Sequence, residues 1–145
     1  MALTTDIIIG FPFETDQDFQ DTLNMADYCQ FDSAYIFKYS PRPGTPAFAL
    51  TDNVPAPVKT ARFLELEKLI RFNQHRIFES YLNKTVKVLV EKISNKNDSE
   101  LAGHTTCQKV VNFKGSAELL GKIVRLKITE TKTNTLYGEI SSTLC

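Results

Sequence analysis

The chain has 145 residues, 42% of them hydrophobic and 23% charged. That is a globular composition with enough apolar surface for a modest core, and it excludes disordered, collagenous and membrane-spanning classes, since no apolar run approaches the ~18 residues a span needs. The zero net charge hides an asymmetry: residues 1–57 set eight carboxylates against Lys38 and Arg42, a balance of −6, while the stretch from Lys84 onward carries ten basic and six acidic side chains.

The length fits one domain, or a small domain with part of another. The N-terminus lacks the basic and long apolar stretches of a secretory signal, so a cytoplasmic protein is expected. Cys29, Cys107 and Cys145 are odd in number and widely spaced, with no C-x-x-C pair, which points away from a disulfide framework or a zinc site. His75 and His104 lack any spacing that would put two ligands on one helix face and are assigned as ordinary polar residues. No metal ligands are expected in the chain.

The apolar, β-branched run Thr5–Gly10 reads as a buried strand stopped at Gly10-Phe-Pro12. A helix follows, with Thr15 as its N-cap, Asp18 three residues on, and Phe19, Leu23 and Ala26 on one face. Ala34–Tyr39 is a second strand, ended by the proline-rich Ser40–Pro46. Such a β-α-β unit makes its strands parallel, and parallel strands are normally covered on both faces, which two strands and one helix cannot supply. Residues 1–57 are therefore expected to be the edge of a larger α/β domain whose other strands lie upstream of Met1.

Val58, Phe63, Leu66, Ile70 and Ile77 recur at helical spacing, predicting a connector helix within residues 58–83, with Arg62, Glu65, Lys68 and Arg71 on its charged face. From Lys84 the period becomes two. Val86, Val88 and Val90, then 101–105, 109–113, 123–129 and 136–140, predict five short strands separated by turns at 95–98, 115–116, 121 and 133–134. This is the pattern of a small antiparallel barrel over residues 84–141.

In parallel α/β folds ligands sit at the carboxyl ends of the strands, here the loops 10–14 and 38–44. Gly10 would let backbone approach a ligand or only shape a turn. Phe11 would stack on a ring or, as the physics favours, sit in the core. Glu14 would accept hydrogen bonds from a hydroxyl or amine, and Arg42 would bind a carboxylate or remain a solvated loop charge.

The strings Asp6-Ile-Ile-Ile-Gly-Phe-Pro-Phe-Glu-Thr15, Phe31-Asp-Ser-Ala34, Phe37-Lys-Tyr-Ser-Pro-Arg-Pro-Gly-Thr-Pro46, Gly103-His-Thr105 and Lys109-Val-Val-Asn-Phe113, in this order, resemble the C-terminal part of the radical-SAM tRNA methylthiotransferases. Lys109–Phe113 looks most like the branch that adds a methylthio group to isopentenyl-adenosine beside the anticodon. The sister enzymes, acting on threonylcarbamoyl-adenosine or a ribosomal protein, differ there.

The resemblance implies a parent with two [4Fe-4S] clusters and S-adenosylmethionine (SAM), of which this chain would hold the last part of the radical-SAM partial barrel and a TRAM domain, a small RNA-binding β-barrel. It implies SAM contacts for Ile8, Ile9, Gly10 and Phe11, with Arg42 on the same rim. It implies no cluster ligand and no catalytic residue here, since the C-x-x-x-C-x-x-C triplet that holds the family's cluster is missing from these residues, so the piece alone would be inert. The expected partners are a tRNA anticodon stem-loop and the enzyme's N-terminal domains, with no membrane contact, in a monomer. Phe13 departs from the family, which usually has glycine there; its side chain would narrow the pocket, or the loop would rearrange.

For RNA, strand alternation supplies a physical argument. With Val86, Val88 and Val90 inward, Lys87 points out; with Val124, Leu126 and Ile128 inward, Arg125 and Lys127 point out. These three, with Lys109, Lys114 and Lys132, are the candidate phosphate contacts. Tyr137 or Phe113 could stack on a base, although Phe113 fits the core better. The alternative is a non-enzymatic RNA-binding module, or lysines that merely solubilise the surface.

Overall fold

The computed structural model describes residues 2–94 and 99–144, with side chains described up to Ser141. The turn expected at 95–98, and Cys145, lie outside the described residues. The chain divides into two compact units, Leu3–Gln74 and, chiefly, His75–Cys145.

In the first unit β1 (Thr4–Ile9), α1 (Asp16–Cys29) and β2 (Ser33–Lys38) form the expected β-α-β element, with β1 and β2 parallel from Thr4↔Ser33 to Ile9↔Lys38. The Thr15 cap forms as read: its hydroxyl accepts from the Asp18 amide while the Asp18 carboxylate accepts from the Thr15 amide, a reciprocal capping box. Phe19, Leu23 and Ala26 are buried with Ile9, and Leu66 and Ile70 of α2 (Ala56–Glu79) join them, while Ile7, Ala34 and Ile36 pack against the cluster. One face of the two-stranded sheet is thus covered. The other is open, exposing Ile8 (57%), Tyr35 (67%) and Phe37 (50%).

The charged face drawn for α2 needs correction at Arg62, which is buried, as is Lys59. Lys59 pairs with Asp52, and Arg62 with Glu14 and with Asp16 at the start of α1. Residues of α2 up to Gln74 belong to the first unit.

The second unit is a closed five-stranded barrel of β3 (Thr85–Ile93), β4 (Glu100–Thr105), β5 (Val110–Lys114), β6 (Ile123–Thr131) and β7 (Leu136–Leu144), in the order β3-β4-β5-β7-β6. The barrel is mixed rather than wholly antiparallel, because β5 and β7 close it in parallel over Val111↔Leu136, Asn112↔Tyr137 and Phe113↔Gly138. The final strand returns past β5 from its antiparallel partner β6, so its direction at the closing seam follows from chain path rather than local pattern. Val88, Val90, Leu101, Val111, Phe113, Val124, Leu126, Ile128 and Leu136 fill the interior with Phe78. Phe113 is fully buried, in the core position read from sequence.

Candidate functional site

Two surfaces carry the candidate residues. The first is a depression of about 460 Å³ beside the open face of β1 and β2, lined by Asp6, Ile8, Phe11, Phe37, Tyr39 and Arg42 among others. Ile8 and Phe37 pair across the two strands, and Phe11 meets Tyr39 edge-on, with ring centroids 5.1 Å apart. Phe11 is therefore not a core residue; it is 42% exposed. Arg42 sits in the turn closed by Thr45, whose hydroxyl donates to the Arg42 carbonyl at 2.8 Å.

The structure does not bring all five expected rim residues together. Ile9 is fully buried on the opposite, helix-covered side of the sheet, as strand alternation requires. Gly10, at φ +68°, lies against Lys59: a Cβ there would be 2.5 Å from its Cγ. Glu14 likewise points inward, accepting from the Gly10 amide and from Arg62.

The loops are held by two cations of α2. Lys59 Nζ lies 2.7 Å from both oxygens of Asp52 and 3.3 Å from the Tyr39 carbonyl, and 5.2 Å from the Tyr39 ring centroid. Arg62 donates to Glu14 at 2.8 Å and Asp16 at 2.7 Å and lies over Phe19. Burial alone would lower the Arg62 pKa, but the hydrogen bonds to Asp16 and then Glu14 outweigh it, and the guanidinium is held above its ordinary value. The sequence gives no local signal for this, since Glu14 and Arg62 are 48 residues apart.

Phe13 adopts φ +70°, the left-handed region that glycine enters without strain. Its amide donates to Asn53 at 2.7 Å, and its ring is 58% exposed. The ring lies outside the depression's lining, so it does not narrow the pocket.

The second surface is the outer face of β3 and β6. Lys87 stands directly across from Arg125, and Lys127 across from Thr85; all three cations are exposed, as alternation predicts. Lys114 is exposed on β5, paired in register with Glu100. Lys132 is exposed, 3.8 Å from Glu130 and over the Tyr137 ring at 5.7 Å.

Tyr137 is half-buried, and its hydroxyl donates to Glu100 at 3.3 Å. Burial and then the Glu100 carboxylate push its phenol above the ordinary value of 10.0. Lys109 differs from the expectation: it is buried, 5.4 Å from the Phe78 ring centroid, and so is turned away from solvent phosphates.

Near Lys87, sequence reading missed a pairing. Glu91 is the extra residue of a bulge between Val90 and Lys92, and its carboxylate is 2.6 Å from His104 Nδ1. The signal was present, because Glu91-Lys92 breaks the alternation of Val86, Val88 and Val90. Among the described residues, no group of three or more His, Cys, Asp or Glu is placed to hold a metal ion, and no helix is long and apolar enough to cross a membrane.

Residues 79–141 match the TRAM domain family. The chain is 50% identical over 139 residues to the tRNA-2-methylthio-N(6)-dimethylallyladenosine synthase of Bacillus subtilis (strain 168), covering 96% of this chain and 27% of that protein. The proteins of the same name from Staphylococcus haemolyticus (48% identical, 95% of this chain, 27% of theirs) and Acidovorax sp. (44%, 97% and 31%) align similarly. The chain thus spans between about a quarter and a third of these relatives. Its ordered motifs, its closed barrel and an alignment running through both units agree: the chain belongs to the tRNA methylthiotransferase family, and residues 79–141 are a TRAM domain.

Proposed function

We propose that the chain is the part of a radical-SAM tRNA methylthiotransferase that grips tRNA through its barrel and completes the rim of the SAM pocket, in the branch modifying isopentenyl-adenosine beside the anticodon. In this reading residues 1–57 belong to the catalytic barrel, 58–83 connect, and 84–141 bind RNA in the cytoplasm. The observation that carries it is the exposed cation pair Lys87–Arg125, with Lys127 one step along, on the face of a TRAM barrel. Three cations on neighbouring strands can follow a phosphate backbone.

The first unit supports the SAM part. Its depression of about 460 Å³ falls within the ~300–1,000 Å³ of small-molecule sites. Ile8, Phe11 and Phe37 offer apolar and aromatic surface suited to an adenine ring, and Arg42 a partner for a carboxylate. The uncovered face of β1 and β2 is what a parallel sheet shows where a further layer is wanting. The iron-sulfur clusters of the parent do not fit Cys29 and Cys107, which are free and far apart in sequence, so in this reading the cluster ligands belong to the rest of the parent.

Filter binding of the chain to an anticodon stem-loop tests the RNA part. The log-log salt slope should be about −2, from three contacts at about −0.7 each, and Lys87→Gln or Arg125→Gln should each make it shallower by about 0.7. Undetectable or salt-independent binding would overturn it. For the substrate, mass spectrometry of tRNA nucleosides from a deletion strain should reveal loss of the 2-methylthio group from isopentenyl-adenosine. Loss from threonylcarbamoyl-adenosine instead would assign the sister activity.

A further inference from the structure

We propose that the depression on the outer face of the barrel, where β3, β4 and the start of β6 meet, receives one unpaired base of the bound RNA. This rests on the RNA-gripping reading above and adds where a base, as distinct from the backbone, is held. The depression measures about 240 Å³ and is lined by Leu89, Ile123, Glu91, His104, Lys87 and Gln108 among others. That is below the ~300–1,000 Å³ of drug-sized sites and suits a single ring system.

Leu89 and Ile123 are directly opposed across β3 and β6 and are 43% and 47% exposed. Two apolar side chains side by side on the outer face break the polar-out rule that Lys87, Arg125 and Lys127 obey, and they make a floor for the flat face of a base. The next outward pair along the same strands, about 7 Å away, is Lys87 with Arg125, so cations border the floor where a strand's phosphates would run.

The wall is built by a bulge. Gly103, opposite Val90, lets β4 pass so close that a Cβ there would lie 2.0 Å from the Leu89 carbonyl oxygen. The extra residue, Glu91, is re-aimed onto His104 Nδ1 at 2.6 Å. With Glu91 accepting from Nδ1–H, an assignment made from this contact, His104 Nε2 is left for a base edge, accepting from an amine in the neutral ring and donating to a carbonyl or ring nitrogen in the imidazolium. Gln108 adds an amide with both donor and acceptor character. Its turn is fixed by the Thr105 hydroxyl, which accepts from the Cys107 and Lys109 amides at 3.3 and 3.1 Å.

Charge selects the occupant. Glu91 disfavours a phosphate in the depression itself, while Lys87 and Arg125 favour phosphates at its border. An apolar floor, a hydrogen-bonding wall and a cationic margin together match a nucleotide with its base inserted.

The test is binding of the chain to anticodon stem-loop RNAs in which a single abasic site is moved through the loop. One abasic position should weaken wild-type binding about tenfold. His104→Ala and Ile123→Ser, each checked for an unchanged urea midpoint, should weaken binding to intact RNA by about five- to tenfold with the salt slope unchanged. Both should be indifferent to the abasic site that hurts the wild type. Lys87→Gln should lower the slope equally on every RNA. If the two variants bind intact RNA like the wild type, or lose the same factor on all abasic RNAs, the base site is wrong while the Lys87 result still upholds the RNA interface. If the wild type binds no RNA, both fall.

Discussion

Removing the Arg62 guanidinium should strike the first unit at its most interdependent point. The side chain is 8% exposed and its partner Glu14 10%, whereas its second partner, Asp16, is fully exposed. The Glu14 contact is therefore the one that matters, and solvent screens the other. Arg62→Ala leaves a buried carboxylate with the Gly10 amide as its remaining donor, and breaking one side of a buried pair costs about 3–5 kcal/mol.

Residues 3–74, at about 0.05–0.15 kcal/mol per residue, hold about 4–11 kcal/mol in total. The variant should thus lose from about a quarter to all of this unit's stability, with a fall of more than about 12 °C in its melting. Urea denaturation followed by circular dichroism reads the loss. Hydrogen exchange at the Gly10 amide, bonded to the stranded carboxylate, localises it. The double variant Arg62→Met with Glu14→Gln should recover about 1–2 kcal/mol relative to Arg62→Met, since the uncompensated charge is gone. A loss under about 1 kcal/mol for Arg62→Ala, or a double variant no more stable than the single, would refute the buried-charge argument.

Phe13→Gly should stabilise by about 1 kcal/mol, because the left-handed backbone costs a side-chain-bearing residue about 1–2 kcal/mol and the exposed ring has little burial to lose; a lower urea midpoint would contradict this. Gly103→Ala should cost about 3 kcal/mol or more, since its Cβ meets backbone rather than a movable side chain, and a near-neutral melt would show that β4 can shift. Thr15→Ala should cost about 1 kcal/mol at neutral pH. The hydroxyl and then the amide of Thr15 hold the Asp18 carboxyl below its ordinary 3.8, so the carboxylate's half of the box is present above about pH 4 and lost as pH falls through the folded value, while the Asp18 amide keeps its bond to the Thr15 hydroxyl. In the variant, carboxyl titration by NMR should find Asp18 closer to 3.8, and no movement would deny the cap. Glu100→Gln should bring the Tyr137 phenol back toward 10.0, read by ultraviolet titration against the wild type.

The parts of this molecule legible in its sequence are those set by neighbours a few residues away. The Thr15–Asp18 box needs three residues of spacing, and the inward sets of β3 and β6 need only a period of two, so both appear in the structure where the pattern puts them. Arg62 and Lys109 were read as surface charges because burial of a cation depends on partners that spacing does not reveal; for Arg62 these are 46 and 48 residues upstream. The parallel seam of β5 with β7 was hidden for the same reason. For the rim, alternation assigns Ile8 and Ile9 to opposite faces, and only Ile8 lines the depression. The motif resemblance named both, since a shared string carries no direction of its own.

The seam also sets where the barrel is weakest. Three residue pairs join β5 to β7, against eight joining β6 to β7. A barrel that breathes without unfolding will part first along its shortest closure, transiently becoming a curved ribbon with two raw edges at Val111–Phe113 and Leu136–Gly138. Those amides are the ones on which solvent, a protease or a strand from another molecule would gain its earliest hold.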